Sequence, residues 1–70
     1  MNMYSLLSRM VADCRYFNST GIERFWAGSK QEEVKEMFYI YEHLDIKPKW
    51  LKLKKMKKII KKMYKGGLEK

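Results

Sequence analysis

The chain has 70 residues, with 46% hydrophobic and 14% aromatic side chains and a formal net charge of +8. At this length there is one small domain at most, with a core too thin to enclose both a cofactor and a large substrate. A single cysteine excludes an internal disulfide, no run approaches the roughly 18 apolar residues of a membrane span, and the composition is too apolar for a disordered tail.

The charge is divided along the chain. Residues 1–46 carry five basic and seven acidic side chains, a sum of −2, whereas residues 47–70 carry eleven lysines and only Glu69, a sum of +10. Arg9, Asp13 and Arg15 interrupt the first twenty residues, which therefore lack the apolar stretch of a signal peptide. Asn18-Ser19-Thr20 matches a glycosylation sequon, but with no secretory signal and one thiol the expectation is a folded, soluble, cytoplasmic domain.

The spacing predicts three helices. In the first, residues 3–17, Met3, Leu7, Met10, Cys14 and Phe17 recur at intervals of four and three, widened by Leu6 and Val11. Asn18-Ser19-Thr20-Gly21 reads as its stop, and residues 18–28 as an irregular loop. The second helix, residues 30–45, opens on a capping-box pair, Ser29 and Glu32. Val34, Met37, Phe38, Tyr41 and Leu44 mark its inner face, and Glu32, Glu33 and Glu36 read as acids favoured by the positive end of the helix dipole. Pro48 disfavours helical geometry at Lys47 and ends it. The third helix, residues 52–65, sets Leu53, Met56, Ile59, Ile60, Met63 and Tyr64 on one side and Lys54, Lys55, Lys58, Lys61, Lys62 and Lys65 on the other. It lacks a good N-cap, and Gly66-Gly67 reads as its C-terminal cap. Trp26 and Trp50, outside the helices, are expected to be buried and to pin the connections onto the core. The fold class expected is all-α: a compact three-helix mini-domain, residues 1–70, with an irregular loop before the second helix.

Several strings, taken in order, resemble a known family. Tyr4-Ser-Leu-Leu-Ser-Arg-Met10 runs into Asp13-Cys14-Arg-Tyr-Phe17; Phe25-Trp26-Ala27-Gly28 follows, then a helix with Met37 and Tyr41, then Lys47-Pro48-Lys49-Trp50-Leu51 and Lys62-Met63. Over residues 4–63 this resembles a class of the large polyvalent protein-associated domains. The resemblance implies a small helical module encoded by phages, plasmids and conjugative elements, found alone or within very large proteins that enter a host with the element. It implies no catalytic residues. Two features depart from the family pattern: the loop between Phe17 and Phe25 is short, and Lys49, Lys52, Lys54 and Lys55 stand where the last helix is usually acidic at its start.

No catalytic set can be assembled from these residues. Cys14 lies on an apolar stripe and reads as a buried structural thiol; His43 near a helix C-terminus reads as a cap or cation. One cysteine and one histidine fall short of a zinc site, and no glycine-rich phosphate loop is present, so neither an enzyme nor a cofactor is expected. Met, Ile and Leu opposite lysine is also the pattern of an interfacial membrane helix, but the core needs that apolar face, so no membrane binding is expected. The same face could form a seam between two copies, which leaves a homodimer open.

The lysine face remains. Six lysines with no interleaved acid exceed what solvation alone asks of a surface. The expectation is an accessory protein of a phage or mobile element that binds a host or element-encoded macromolecule and counters host defence. Its contact surface would be this face, docked on an acidic protein or a nucleic-acid-handling complex. The alternative is direct DNA or RNA binding, steeply salt-dependent and weak in sequence preference, because lysine lacks the bidentate base contacts of arginine.

Overall fold

The computed structural model describes residues 2–65 and contains three helices, α1 (Met3–Thr20), α2 (Lys30–His43) and α3 (Leu53–Tyr64). The all-α, three-helix architecture is as the periodicity predicts. The central helix is α1: it packs against both α2 and α3, which touch each other little.

Local chemistry explains the helix ends. Asn2 caps α1, its Oδ1 accepting from the Ser5 N–H at 2.8 Å. At the other end α1 runs through Asn18, Ser19 and Thr20, three residues beyond the predicted stop. Asn18 does not compete for its own backbone there, because its Nδ2 donates to the Ile59 carbonyl of α3 at 3.2 Å. The Thr20 hydroxyl donates to the Tyr16 carbonyl at 2.7 Å. Gly21 then ends the helix in the left-handed conformation (φ 76°), its N–H donating to the Phe17 carbonyl. Ser29 caps α2 as predicted, its Oγ accepting from the Glu32 N–H at 3.3 Å.

The second helix stops at His43, two residues early. The Lys47 ammonium reaches back to the carbonyls of Tyr41 and Leu44 and lies over the Tyr41 ring at 5.1 Å. Lys30 does the same for α3, donating to the Met63 carbonyl between the rings of Phe17 and Tyr64. Lys52 precedes α3 without a side-chain cap, as expected. The expected cap at Gly66-Gly67 lies outside the described residues.

The core is built from Leu7, Met10, Val11, Cys14 and Phe17 of α1, Met37, Ile40 and Tyr41 of α2, and Met56, Ile59, Ile60 and Met63 of α3, closed by Leu44 and Leu51. Six predicted apolar positions sit outside it or at its margin: Met3, Leu53 and Tyr64 are exposed, and Leu6, Val34 and Phe38 are half-buried. The tryptophans are a larger correction. Trp26 is 50% and Trp50 45% exposed, so neither anchors the core. The neighbour does so in each case: Phe25 packs against Phe17 with ring centroids 5.5 Å apart, and Leu51 is completely buried. Three short helices around one layer of side chains leave room for a phenyl or an isobutyl group, and an indole is left at the rim.

Candidate binding surface

Two polar regions stand out, one buried and one exposed. The buried one comes from α1, α2 and the connection between them. Asp13 and Glu33 are both buried, and together they hold the turn at residues 25–28. Asp13 Oδ2 accepts the Trp26 N–H at 3.1 Å and Glu33 Oε1 accepts the Ala27 N–H at 2.9 Å. Gly28 closes the turn, donating to the Phe25 carbonyl at φ 95°, a conformation that strains any residue with a Cβ. Arg9 pairs with Asp13 Oδ1 at 3.3 Å, whereas Glu33 Oε2, as a carboxylate, finds no donor among the described residues. Burial, aided by the neighbouring Asp13 carboxylate and opposed by the Ala27 and Trp26 N–H groups, pushes the Glu33 carboxyl up to about 7. Glu33 is therefore not the surface dipole acid that its place in the first turn of α2 suggested; it is a structural acid that reaches back to the loop.

Cys14 belongs to the same region. Its thiol is fully buried and donates to Met37 Sδ at 3.4 Å. Burial, with Glu33 and Asp13 adding repulsion, pushes it up to about 12, which keeps it protonated and poorly nucleophilic. His43 is exposed at the end of α2, where its Nδ1–H donates to the Tyr39 carbonyl at 2.8 Å and its ring lies on Tyr39. The structure does not bring Cys14 and His43 into contact. No group of three metal-ligating side chains occurs among the described residues.

The exposed region is α3. Lys54, Lys55, Lys58, Lys61, Lys62 and Lys65 are all exposed, as their places on the helical wheel require, while Met56, Ile59, Ile60 and Met63 face α1 and the core. Lys57, left out of the predicted set, is exposed as well and sits on the flank towards α2, where Phe38, Tyr41, Glu42, Lys47 and Leu53 line a shallow recess. Lys54, Lys55, Lys57, Lys58 and Lys61 form no ion pair among the described residues. Lys47, although part of the basic third of the sequence, is occupied with the end of α2.

On the opposite flank the lysines meet α1. Arg15, Asn18 and Ser19 of α1 and Lys55, Lys58, Ile59 and Lys62 of α3 line a groove of about 450 Å³. Arg15 was not singled out from the sequence. It stands three positions before Asn18 on α1, whose amide donates to the Ile59 carbonyl, and only this crossing of α1 and α3 brings it beside the lysines; no pattern in the sequence marks it.

The row is unfavourable for the helix that carries it. Lys54–Lys58, Lys57–Lys61, Lys58–Lys62 and Lys61–Lys65 are like-charge neighbours at i,i+4, each destabilising by roughly 0.2–0.5 kcal/mol. Changing Lys58 to Glu should therefore raise the melting temperature by a few degrees at low salt, and by less in about 0.5 M salt, where the repulsion is already screened. Thermal denaturation followed by circular dichroism at both salt concentrations checks this; a lower melting temperature at low salt would mean that Lys58 makes a stabilising contact.

The sequence profile of large polyvalent protein-associated domain 11 matches residues 1–63. The chain belongs to this family. No curated protein and no solved structure matches it. Within the family domain, the strings that carry the resemblance meet in the fold: Asp13 accepts from Trp26, Cys14 touches Met37, and the Pro48 carbonyl accepts the Leu51 N–H before Leu51 enters the core. They build the domain. Of those strings only Lys62-Met63 lies on α3, with Met63 in the core; the rest of the lysine row lies outside them, on a helix whose inner residues alone contribute to the core. No helix among the described residues is long and apolar enough to cross a membrane.

Proposed function

We propose that this domain is a non-catalytic accessory module of a phage or other mobile element, which binds an acidic surface of a host or element-encoded macromolecule through the lysine face of α3. The observation that carries the reading is the unmixed positive charge of that face. Lys54, Lys55, Lys57, Lys58 and Lys61 are exposed without acidic partners among the described residues, at a cost in helix stability that solubility alone would not require. Such a face speeds encounter with an acidic partner and fixes its orientation. Catalysis has no support in the chemistry: the one thiol is buried and protonated, and the one imidazole is engaged at a helix end. The partner class we favour is a protein of host defence or of a nucleic-acid-handling complex, in keeping with a family carried by elements that enter new hosts.

Direct nucleic-acid binding is the second reading, favoured by one observation: Arg15 joins Lys55, Lys58 and Lys62 along one groove, so the positive surface continues from α3 onto α1. A pull-down with the wild type and with a variant carrying Lys54, Lys57 and Lys61 changed to Glu, each with and without nuclease, separates the two. The first reading predicts a protein captured in the presence of nuclease and lost on charge reversal. Capture of nucleic acid alone, abolished by nuclease, would replace it with the second. The same protein recovered by both forms would place the contact elsewhere.

A further inference from the structure

Asp13 of α1 and Glu33 of α2 are acids of different helices that hold neighbouring N–H groups of one turn, Trp26 at 3.1 Å and Ala27 at 2.9 Å. Each uses one oxygen for the turn. Asp13 has a partner for the other, Arg9 at 3.3 Å. Glu33 has none: its Oε2 is buried, and no N–H or O–H of the described residues reaches it. An ionised carboxylate in that state is costly for a small core to hold. The Asp13 carboxyl lies within hydrogen-bonding reach of the Glu33 carboxyl, and a proton on Glu33 turns the orphaned oxygen into a donor to it.

The surrounding groups leave that proton where it is. On α1, the Cys14 thiol donates to Met37 Sδ, and Arg9 gives its cation to Asp13. Residues 25–28 carry no charged side chain, and Arg24 before them lies over the Tyr16 ring. On α2, Lys30 stands three positions before Glu33, between the exposed Glu32 and the capping Ser29 in neither case a donor to it, and its ammonium points to α3. There it meets the Met63 carbonyl between the rings of Phe17 and Tyr64.

We propose that Asp13 and Glu33 share one proton in a carboxyl–carboxylate hydrogen bond, and that this bond is a pH-sensitive latch on the turn at residues 25–28. Loss of the proton releases the turn, and with it the Trp26 side chain, while the three helices stay packed. Without the proton the two acids meet as like charges in a dry site. The smallest movement that relieves them lets water reach Glu33 through the turn, the one wall of the site that no helix supplies. Trp26 is already half-exposed, so its release uncovers little apolar surface. Phe25, stacked on Phe17, and the α2 cap at Ser29 bound the segment that moves. Burial, aided by Asp13 and opposed by the two N–H groups, puts the Glu33 carboxyl at about 7. The latch is therefore closed below neutral pH and opens as the pH rises through that value.

The test is an NMR titration of the full chain from about pH 4.5 to about pH 9, read at the side-chain carboxyl carbons of Asp13 and Glu33 and at the backbone amides of Trp26 and Ala27. The four signals should move together with one midpoint at about 7. Across that step the Trp26 and Ala27 amides should lose protection from exchange by about tenfold or more, while the amides of the helical core keep their chemical shifts. Glu33→Gln sets a permanent donor, its Nε2, where the shared proton was, and keeps an oxygen for Ala27. The step should vanish, with the turn protected at pH 8 as at pH 5. Asp13→Asn offers Glu33 Oε2 an amide donor and removes the like charge, so the Glu33 midpoint should fall by about one pH unit or more. His43→Gln, at the far end of α2, should leave the step in place. An Asp13 signal that does not follow Glu33, or an unchanged midpoint in Asp13→Asn, would leave burial as the whole cause and overturn the shared proton. A wild-type turn equally protected at pH 5 and pH 8, or a step that survives in Glu33→Gln, would overturn the latch. So would loss of the helical signals across the same step, which would make the event an unfolding of the domain.

Discussion

Exchange of Glu33 for Gln should flatten the pH dependence of stability between about pH 4.5 and pH 7 and raise the melting temperature at pH 8. Glu33 is 0% exposed, and its carboxyl is raised from an ordinary value of 4.5 to about 7 by burial and by Asp13. A group whose pKa is higher in the folded state holds its proton more tightly there. Its stabilising contribution is complete below the unfolded value, falls as the pH rises from about 4.5 to about 7, and is gone above that. This loss is set against a total of only about 3–10 kcal/mol for a domain of this size. Glutamine keeps an oxygen for the Ala27 N–H and carries no charge to bury beside Asp13. Glu33→Ala behaves differently: it leaves the Ala27 N–H without its acceptor and opens a cavity, so it should lose about 2 kcal/mol or more even at pH 5. Thermal and urea denaturation of the three proteins at pH 5 and pH 8 checks both statements. Parallel pH profiles for wild type and Glu33→Gln would show that the acid is not raised.

Leu51→Ala should cost about 2–5 kcal/mol, while Trp50→Ala next to it should cost less than about 1 kcal/mol. Residue size suggests the reverse order. The structure sets it by burial: Leu51 is completely enclosed, whereas almost half of the Trp50 surface faces solvent. Leu51 also fixes the linker, its N–H donating to the Pro48 carbonyl at 3.3 Å just before α3 begins. Against a total of several kcal/mol, the leucine variant should be partly unfolded at 37 °C. Trp26→Ala belongs with Trp50→Ala, because Asp13 holds the backbone N–H of Trp26, which any residue but proline supplies. Melting curves of the three variants decide the matter. A Trp50→Ala protein as damaged as Leu51→Ala would mean that the indole, and not its neighbour, is the anchor.

Helical periodicity made most of this fold legible. Spacing alone places Cys14, Met37 and Met56 inside, and Glu32 three residues on marks Ser29 as a cap. What escaped has physical causes. Glu33 shares a face with Met37, Ile40 and Leu44 at steps of four, three and four, so the spacing did mark it as buried. Its type and its place in the first turn of α2 pointed the other way, and the group that satisfies it, the Ala27 N–H, lies in a loop with no period. The tryptophans failed for a related reason: both stand in irregular segments, where size argues for burial and no stripe says which of two adjacent residues turns inward. Lys30 and Lys47 cap carbonyls of α3 and α2 with long, unbranched side chains, contacts that leave no pattern in a sequence. The lysine row was the easiest part of the candidate site to find, because it is local to one helix. Arg15 and Asn18 were harder, because the groove exists only where α1 crosses α3.

That crossing makes the outward row separable from the fold, since its lysines contribute nothing to the core while the residues between them do. The most direct measurement is the affinity of the captured partner for the wild type and for the Lys54, Lys57 and Lys61 to Glu variant, read by surface plasmon resonance at two salt concentrations. Each protein's helix content and melting temperature should be recorded beside it. The account predicts a variant folded at least as stably as the wild type, with affinity reduced by about tenfold or more, and a wild-type affinity that falls as salt rises. An equally stable variant that binds as tightly as the wild type, with no dependence on salt, would contradict it.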